Sequence, residues 1–128
     1  MEKAIIVADD SMIVKNIVEK AIDDEYMVLK ASNGKEAIQY ITDKKYEIIG
    51  MLLDLNMPES DGFMVLNYFK NNNLFKKYPI VIISGDDTSE TINKAFTYDI
   101  VDMLNKPFSV ENIRSMVDKM ENFKELHS

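Results

Sequence analysis

Four apolar-rich runs of this 128-residue chain lead into residues able to do chemistry. Ala4 to Ala8 is followed by Asp9 and Asp10, Ile48 to Leu53 by Asp54, Pro79 to Ile83 by Ser84, and Ile100 to Leu104 by Asn105 and Lys106. Carboxylates gathered within a few ångströms repel by about 1 kcal/mol per pair in water and by about 4 at an effective dielectric of 20, so a cation must sit among them. Lys106 can neutralise one charge. A hard divalent ion that prefers oxygen ligands, magnesium first and manganese as a substitute, would neutralise more. A carboxylate beside such an ion, an ammonium and a hydroxyl is a set of parts for phosphoryl transfer. The ion and Lys106 would offset charge on the transferring oxygens, Ser84 would donate a hydrogen bond, and a carboxylate would attack phosphorus in line. Asp54 is the expected nucleophile, because it stands alone, whereas adjacent Asp9 and Asp10 suit holding an ion.

These residues can meet only if the chain folds so that distant strand ends share an edge, and the patterning provides for that. Strands are expected at Lys3 to Ala8, Tyr26 to Lys30, Ile48 to Leu53, Pro79 to Ile83 and Ile100 to Leu104. Each is followed by a stretch of helical period. Ser11 caps a first helix whose apolar positions are Ile13, Ile17, Val18 and Ile22, and Asn33 with Glu36 makes a capping-box-like pair before Ala37, Ile38 and Ile41. Gly50 inside the third strand permits a close neighbour. Met57-Pro58 ends that segment, and Asp61 starts a helix through Val65, Leu66 and Phe69. Asp87 and Glu90 are spaced as a capping box before Ile92, Ala95 and Phe96. Ser109 caps a last helix faced by Val110, Ile113, Met116, Val117, Met120 and Phe123. The nine methionines are read as packing. A strict strand-helix repeat with right-handed crossovers is an α/β fold, a doubly wound sandwich of three layers, whose ligand site lies beyond the carboxyl ends of its parallel strands.

Composition narrows the function. Acids outnumber bases 22 to 15, for a net charge of −7, and the basic residues are scattered, which disfavours nucleic acid as a partner. The apolar runs are too short to span a bilayer, and no basic segment precedes an apolar one at the N-terminus, so a cytoplasmic location is expected. Cysteine is absent, which excludes disulfides, thiolate nucleophiles and cysteine-held metals. The one histidine, His127, lies at the chain end, where fraying is expected.

In order and spacing, Ala8-Asp9-Asp10-Ser11, Leu53-Asp54-Leu55-Asn56-Met57-Pro58 with Asp61-Gly62, Ile83-Ser84-Gly85 and Lys106-Pro107-Phe108 resemble the receiver domain of two-component response regulators, over Lys3 to about Met120. The resemblance implies a flavodoxin-like fold with a five-stranded sheet of order 2-1-3-4-5 and five helices, one domain over residues 1–128. It implies that Asp54 accepts a phosphoryl group from the phosphohistidine of a sensor histidine kinase or phosphotransfer protein. Asp10, Asp54 and the backbone carbonyl of Asn56 would ligate magnesium, with Asp9 bound through water. Ser84 and Lys106 would contact the phosphoryl oxygens, and Lys106-Pro107 would be a cis peptide. A downstream protein would be met through the fourth helix, fifth strand and fifth helix, by a monomer or weak dimer.

The sequence departs from that family's pattern in places. The switch residue three positions before Lys106, usually aromatic, is Met103, which could follow Ser84 by repacking but offers no hydroxyl. Asp99 stands where many relatives have glycine. Asn56 and Asp86, each two residues past a site residue, are expected to flank the path of an attacking water and to give a short-lived phosphoryl group. A phosphohydrolase of the haloacid-dehalogenase kind would need a second aspartate as general acid where Asn56 stands. An interaction module that had lost phosphorylation would be expected to lack one of these residues.

Overall fold

The computed structural model describes residues 1–57 and 61–127, with Asp61 described in its backbone alone; expectations resting on Pro58 lie outside them. Strands β1 (Lys3–Ala8), β2 (Met27–Ala31), β3 (Glu47–Asp54), β4 (Ile80–Ser84) and β5 (Asp102–Asn105) alternate with helices α1 (Met12–Ile22), α2 (Gly34–Asp43), α3 (Asp61–Asn71), α4 (Ser89–Ala95) and α5 (Val110–Leu126). The strands form one sheet of order β2-β1-β3-β4-β5, every pairing parallel. Order reverses at β1, so its carboxyl end and that of β3 flank the crevice where such sheets bind ligands.

Both faces of the sheet are covered. Ala4, Ile6 and Ala8 of β1 join one buried cluster with α2 and α3. Ile5 and Val7 join the other with α1 and α5. A strand buried on both faces reads as a continuous apolar run, which is why β1, β3 and β4 were legible. Gly50 accepts α5 against β3: a methyl group there would lie 2.6 Å from Met120 Sδ and 2.8 Å from the Pro79 carbonyl oxygen.

Several local expectations are corrected. The inner face of α1 is Lys15, Val18, Ala21 and Ile22, whereas Ile13 is 73% and Ile17 37% exposed. Ile13 and Ile17 form their own i, i+4 row, a quarter-turn from the row that meets the sheet. Tyr26 lies buried before β2 rather than in it. β4 and β5 start later than expected, at Ile80 and Asp102, and β3 runs through Asp54 itself. Asn33 accepts from the Glu36 N–H at 2.9 Å as expected. The Glu36 carboxylate, however, accepts from Ser32 N at 2.6 Å, closing the box one residue early.

Thr88, not Asp87, caps α4, because Asp86 takes the Thr88 N–H and shapes the turn before it. Phe96 lies past the end of α4, half exposed. Ser109 and Asn112 complete a capping box on α5, with Ile113, Val117 and Met120 inward and Val110 outward. Of the methionines, Met1, Met12, Met27 and Met64 are exposed and are not packing. His127 is not simply frayed: its Nδ1 lies 2.8 Å from the Phe123 carbonyl and its ring lies against Phe123. No helix among the described residues is long and apolar enough to cross a membrane.

Candidate functional site

β1 and β3 are hydrogen-bonded neighbours, so Asp9, one residue past β1, and Asp54, the last of β3, meet at one edge. Asp9 is fully buried. Its N–H donates to the Ala31 carbonyl at 3.0 Å, and its Oδ1 accepts from Ser11 N at 2.8 Å. The start of α1 and the end of β2 therefore fix it. Asp54 is 1% exposed, its Oδ1 accepting from Asn56 N at 2.9 Å. Asp10 is exposed. Among the described residues, Asp9, Asp10 and Asp54 form a group whose ligand atoms lie within 4.8 Å of one another.

Lys106 enters from β5. Its N–H donates to the Ser84 carbonyl at 2.8 Å, which places β4 and β5 ends side by side, and Lys106-Pro107 is cis as expected. The ammonium donates to Asp54 Oδ2 at 3.3 Å and lies 2.8 Å from Asp9 Oδ2. That second contact is the shorter of the two and reaches an oxygen that is fully buried. Burial pushes the Asp54 carboxyl up from the ordinary aspartate range. The Asn56 N–H opposes that, the Asp9 charge adds to it, and Lys106 offsets part. Burial alone would lower the Lys106 ammonium; the attraction of Asp9 and Asp54 outweighs it and raises the value.

Ser84 is fully buried at the end of β4. Its hydroxyl donates to the Asp86 carbonyl at 3.2 Å and accepts from Asp86 N at 3.0 Å and from the Asn56 carboxamide at 3.4 Å. Asp86 turns its carboxylate into the next turn, accepting from Thr88 N at 3.0 Å and Thr91 Oγ1 at 2.8 Å. Those hydrogen bonds hold it below the usual carboxylate range. Of the two residues expected to flank a water path, Asn56 is thus the one lying between Asp54 and Ser84. Met103 is half buried, packed against the cluster that covers the α2, α3 side.

Three features here were not read from sequence. Thr88 and Thr91 receive Asp86 and tie Ser84 to α4, though an Asp two residues before a Thr is a turn signal. A methyl on Gly62 would lie 2.6 Å from both the Asp54 carbonyl oxygen and Leu55 Cα, so only glycine lets α3 begin against the backbone of Asp54 and Leu55. Lys15, 2% exposed, donates to Ser32 Oγ at 2.7 Å and joins α1 to the turn after β2; nothing in its sequence position announces burial.

Three buried or clustered carboxylates with one bridging ammonium carry an excess of negative charge. That donor set fits an oxygen-preferring divalent cation. The cleft between strand ends then offers a carboxylate, a hydroxyl and an ammonium to a dianionic group.

The family model of the response regulator receiver domain matches residues 5–118. The chain is 27% identical over 128 residues to the transcriptional regulatory protein KdpE of Staphylococcus aureus, covering 99% of this chain and 53% of that one. It is 29% identical over 113 residues to a probable cyclic di-GMP phosphodiesterase of Vibrio cholerae, covering 88% of this chain and 25% of that one. The chain thus spans about half or less of these curated relatives. The fold is that of the signal receiver domain of a Luxo repressor protein of Vibrio parahaemolyticus, with TM-score 0.86, 20% identity, and 98% and 95% of the two chains covered. Chemotaxis response regulator CheY4 of Vibrio cholerae gives TM-score 0.80 at 21% identity, covering 94% and 99%.

Proposed function

The chain belongs to the receiver-domain family of two-component response regulators, and on that footing we propose that Asp54 is its phosphoacceptor. The donor is the phosphohistidine of a sensor histidine kinase or phosphotransfer protein. An Asp54 carboxylate oxygen bonds to phosphorus as the phosphorus–nitrogen bond breaks, and the electron pair leaves with the imidazole. Hydrolysis of the resulting acyl phosphate returns Asp54 and inorganic phosphate. The observation that carries this reading is the Lys106 ammonium lying between Asp9 and Asp54, with Ser84 beside them on the neighbouring strand end.

Asp10, Asp54 and the Asn56 carbonyl would hold magnesium, or manganese in its place, with Asp9 reached through water. The ion supplies charge compensation for the phosphoryl oxygens. Lys106 already shares itself between Asp9 and Asp54, so it can follow a phosphoryl oxygen without leaving the site. The Ser84 proton is now spent on the Asp86 carbonyl. Donating it to the phosphoryl group instead breaks that bond and loosens the turn that Asp86 ties to α4. Met103, on β5 beside Ile82 of β4, then repacks as the switch residue. Residues 1–128 act as one domain, in the cytoplasm, signalling to a protein through α4, β5 and α5, as a freestanding regulator or joined to an output domain.

Titration with beryllofluoride and magnesium, followed by NMR, tests this. Shifts at Asp54, Ser84 and Lys106 that spread along α4 and α5 are expected. No response in the wild type, or an equal response in Asp54→Ala, would remove the assignment.

A further inference from the structure

Among the described residues four polar or charged residues are buried, and three of them, Asp9, Asp54 and Ser84, are the site itself. The fourth is Lys15, 2% exposed on α1, and the phosphoryl chemistry leaves it without a task. We propose that Lys15 is a positioning residue: through Ser32 it holds Asp9 and Asp10 in the pose that binds a divalent cation. This role rests on the magnesium site proposed above and deepens it.

Lysine is an expensive choice at this position. A buried ammonium loses its hydration, and no carboxylate among the described residues pairs with it. It also lies four residues past the cap Ser11, near the helix end whose unpaired N–H groups disfavour a cation. An apolar side chain of similar length would fill the same space without either penalty. Packing therefore does not account for a lysine here.

Its hydrogen bond does. The ammonium donates to Ser32 Oγ at 2.7 Å, and that bond closes a circuit around the two carboxylates. Ser32 follows Ala31, whose carbonyl accepts the Asp9 N–H at 3.0 Å. Asp9 Oδ1 accepts from Ser11 N at 2.8 Å, and the Ser11 carbonyl accepts from Lys15 N at 3.2 Å. The path thus runs from Asp9 through Ser11 and Lys15 to Ser32 and Ala31 and returns to Asp9, with Asp10 on it between Asp9 and Ser11. Of these four hydrogen bonds only Lys15 to Ser32 joins two side chains, so it alone depends wholly on residue type. The Ser32 N–H is held from the other side by the Glu36 carboxylate at 2.6 Å.

Asp9 is gripped twice: α1 fixes its carboxylate through Ser11, and the turn after β2 fixes its backbone through Ala31. A tie between the two grips keeps their spacing, and with it the direction of the Asp9 and Asp10 carboxylates. Magnesium demands near-ideal octahedral geometry and is sensitive to that direction. Losing a partner directly behind a metal-facing group weakens affinity by about tenfold to hundredfold; Lys15 acts one step further back, so about threefold to tenfold is expected.

The test is a magnesium titration of the ¹⁵N-labelled full chain, followed at the Asp10 and Asn56 amides, with denaturant unfolding of the metal-free proteins alongside. Ser32→Ala, at an exposed position and without change of charge, should raise the magnesium Kd by about threefold to tenfold. Ser32→Thr, which keeps the hydroxyl, should leave it near the wild-type value. In a Lys15→Met background Ser32→Ala should change nothing, a comparison in which the lost lysine charge cancels. Methionine is apolar and flexible enough to fill the lysine's space, and the unfolding curve checks that this background is folded; if it is not, Ser32→Ala against Ser32→Thr decides alone. Wild-type magnesium affinity in Ser32→Ala, whatever its stability, or an equal effect of Ser32→Ala in the Lys15→Met background would overturn the proposal. A wild type that binds no magnesium would remove the metal site and this role together, and that failure is seen before any variant is made.

Discussion

The Lys106 ammonium lies 2.8 Å from Asp9 Oδ2, an oxygen that is fully buried, and 3.3 Å from Asp54 Oδ2. The ammonium joins the ends of the first and fifth strands in chain order. Asp9 is fixed on one oxygen by Ser11 N and meets the Lys106 ammonium with the other. One ammonium shared between Asp9 and Asp54 offsets part of the repulsion between the carboxylates.

Lys106→Met should therefore destabilise the metal-free protein by about 1–3 kcal/mol, less than a fully buried pair because the lysine side chain is a quarter exposed. Denaturant unfolding checks it, and added magnesium should recover most of the loss. Because the native ammonium value lies above that of ordinary lysine, the wild-type advantage should hold through neutral pH. It should fade only as alkaline pH rises through that raised value.

Asp54→Asn should act in the opposite sense. The native carboxyl holds its proton more tightly than the unfolded one, chiefly through burial, so ionising it costs stability. Wild type and variant should be nearly equal at acid pH, where the carboxyl is protonated. The variant should gain about 1–2 kcal/mol as pH rises from the unfolded through the raised native value, on the scale of relieving one screened like-charge contact. Unfolding curves at several pH values measure this difference, and saturating magnesium should shrink it.

Gly62→Ala should strike the site rather than the core. Its methyl would meet the Asp54 carbonyl and Leu55 Cα at 2.6 Å, and backbone on both sides cannot yield as a flexible side chain does. A stability loss of about 1–3 kcal/mol is expected, together with weakened magnesium binding by titration. Gly50→Ala, which meets Met120 and Pro79, should lose similar stability while leaving magnesium affinity nearly unchanged.

Asn56 is exposed beside Asp54, with its carboxamide near Ser84. Replacing it with methionine removes a polar group from the approach of water, and should lengthen the lifetime of the acyl phosphate several-fold after labelling with acetyl phosphate. An unchanged lifetime would show that Asn56 does not govern that approach.

The sheet and its site were legible because two signals agreed. Runs such as Ile48 to Leu53, apolar at every position, mark strands covered on both faces, and the chemistry-bearing residues stood at their ends. Details set by tertiary context were not legible. Ile13 and Ile17 have the spacing of an inner face, but which row of α1 meets the sheet is decided by the angle at which the helix enters from Ser11. Capping pairs are legible to within one residue, because Asp86 accepts from Thr88 N and leaves Thr88 to cap α4, and Glu36 accepts from Ser32 N rather than from Asn33 N. The burial of Lys15 depends on Ser32, which lies 17 residues away.

The central claim is that Asp54 accepts the phosphoryl group. Incubating the protein with acetyl phosphate and magnesium, then weighing it intact, tests that claim most directly. The account predicts the mass of a single added phosphoryl group in the wild type, lost when the metal is chelated, and none in Asp54→Asn. Labelling of Asp54→Asn to the wild-type extent, or a wild type that takes up nothing, would contradict it.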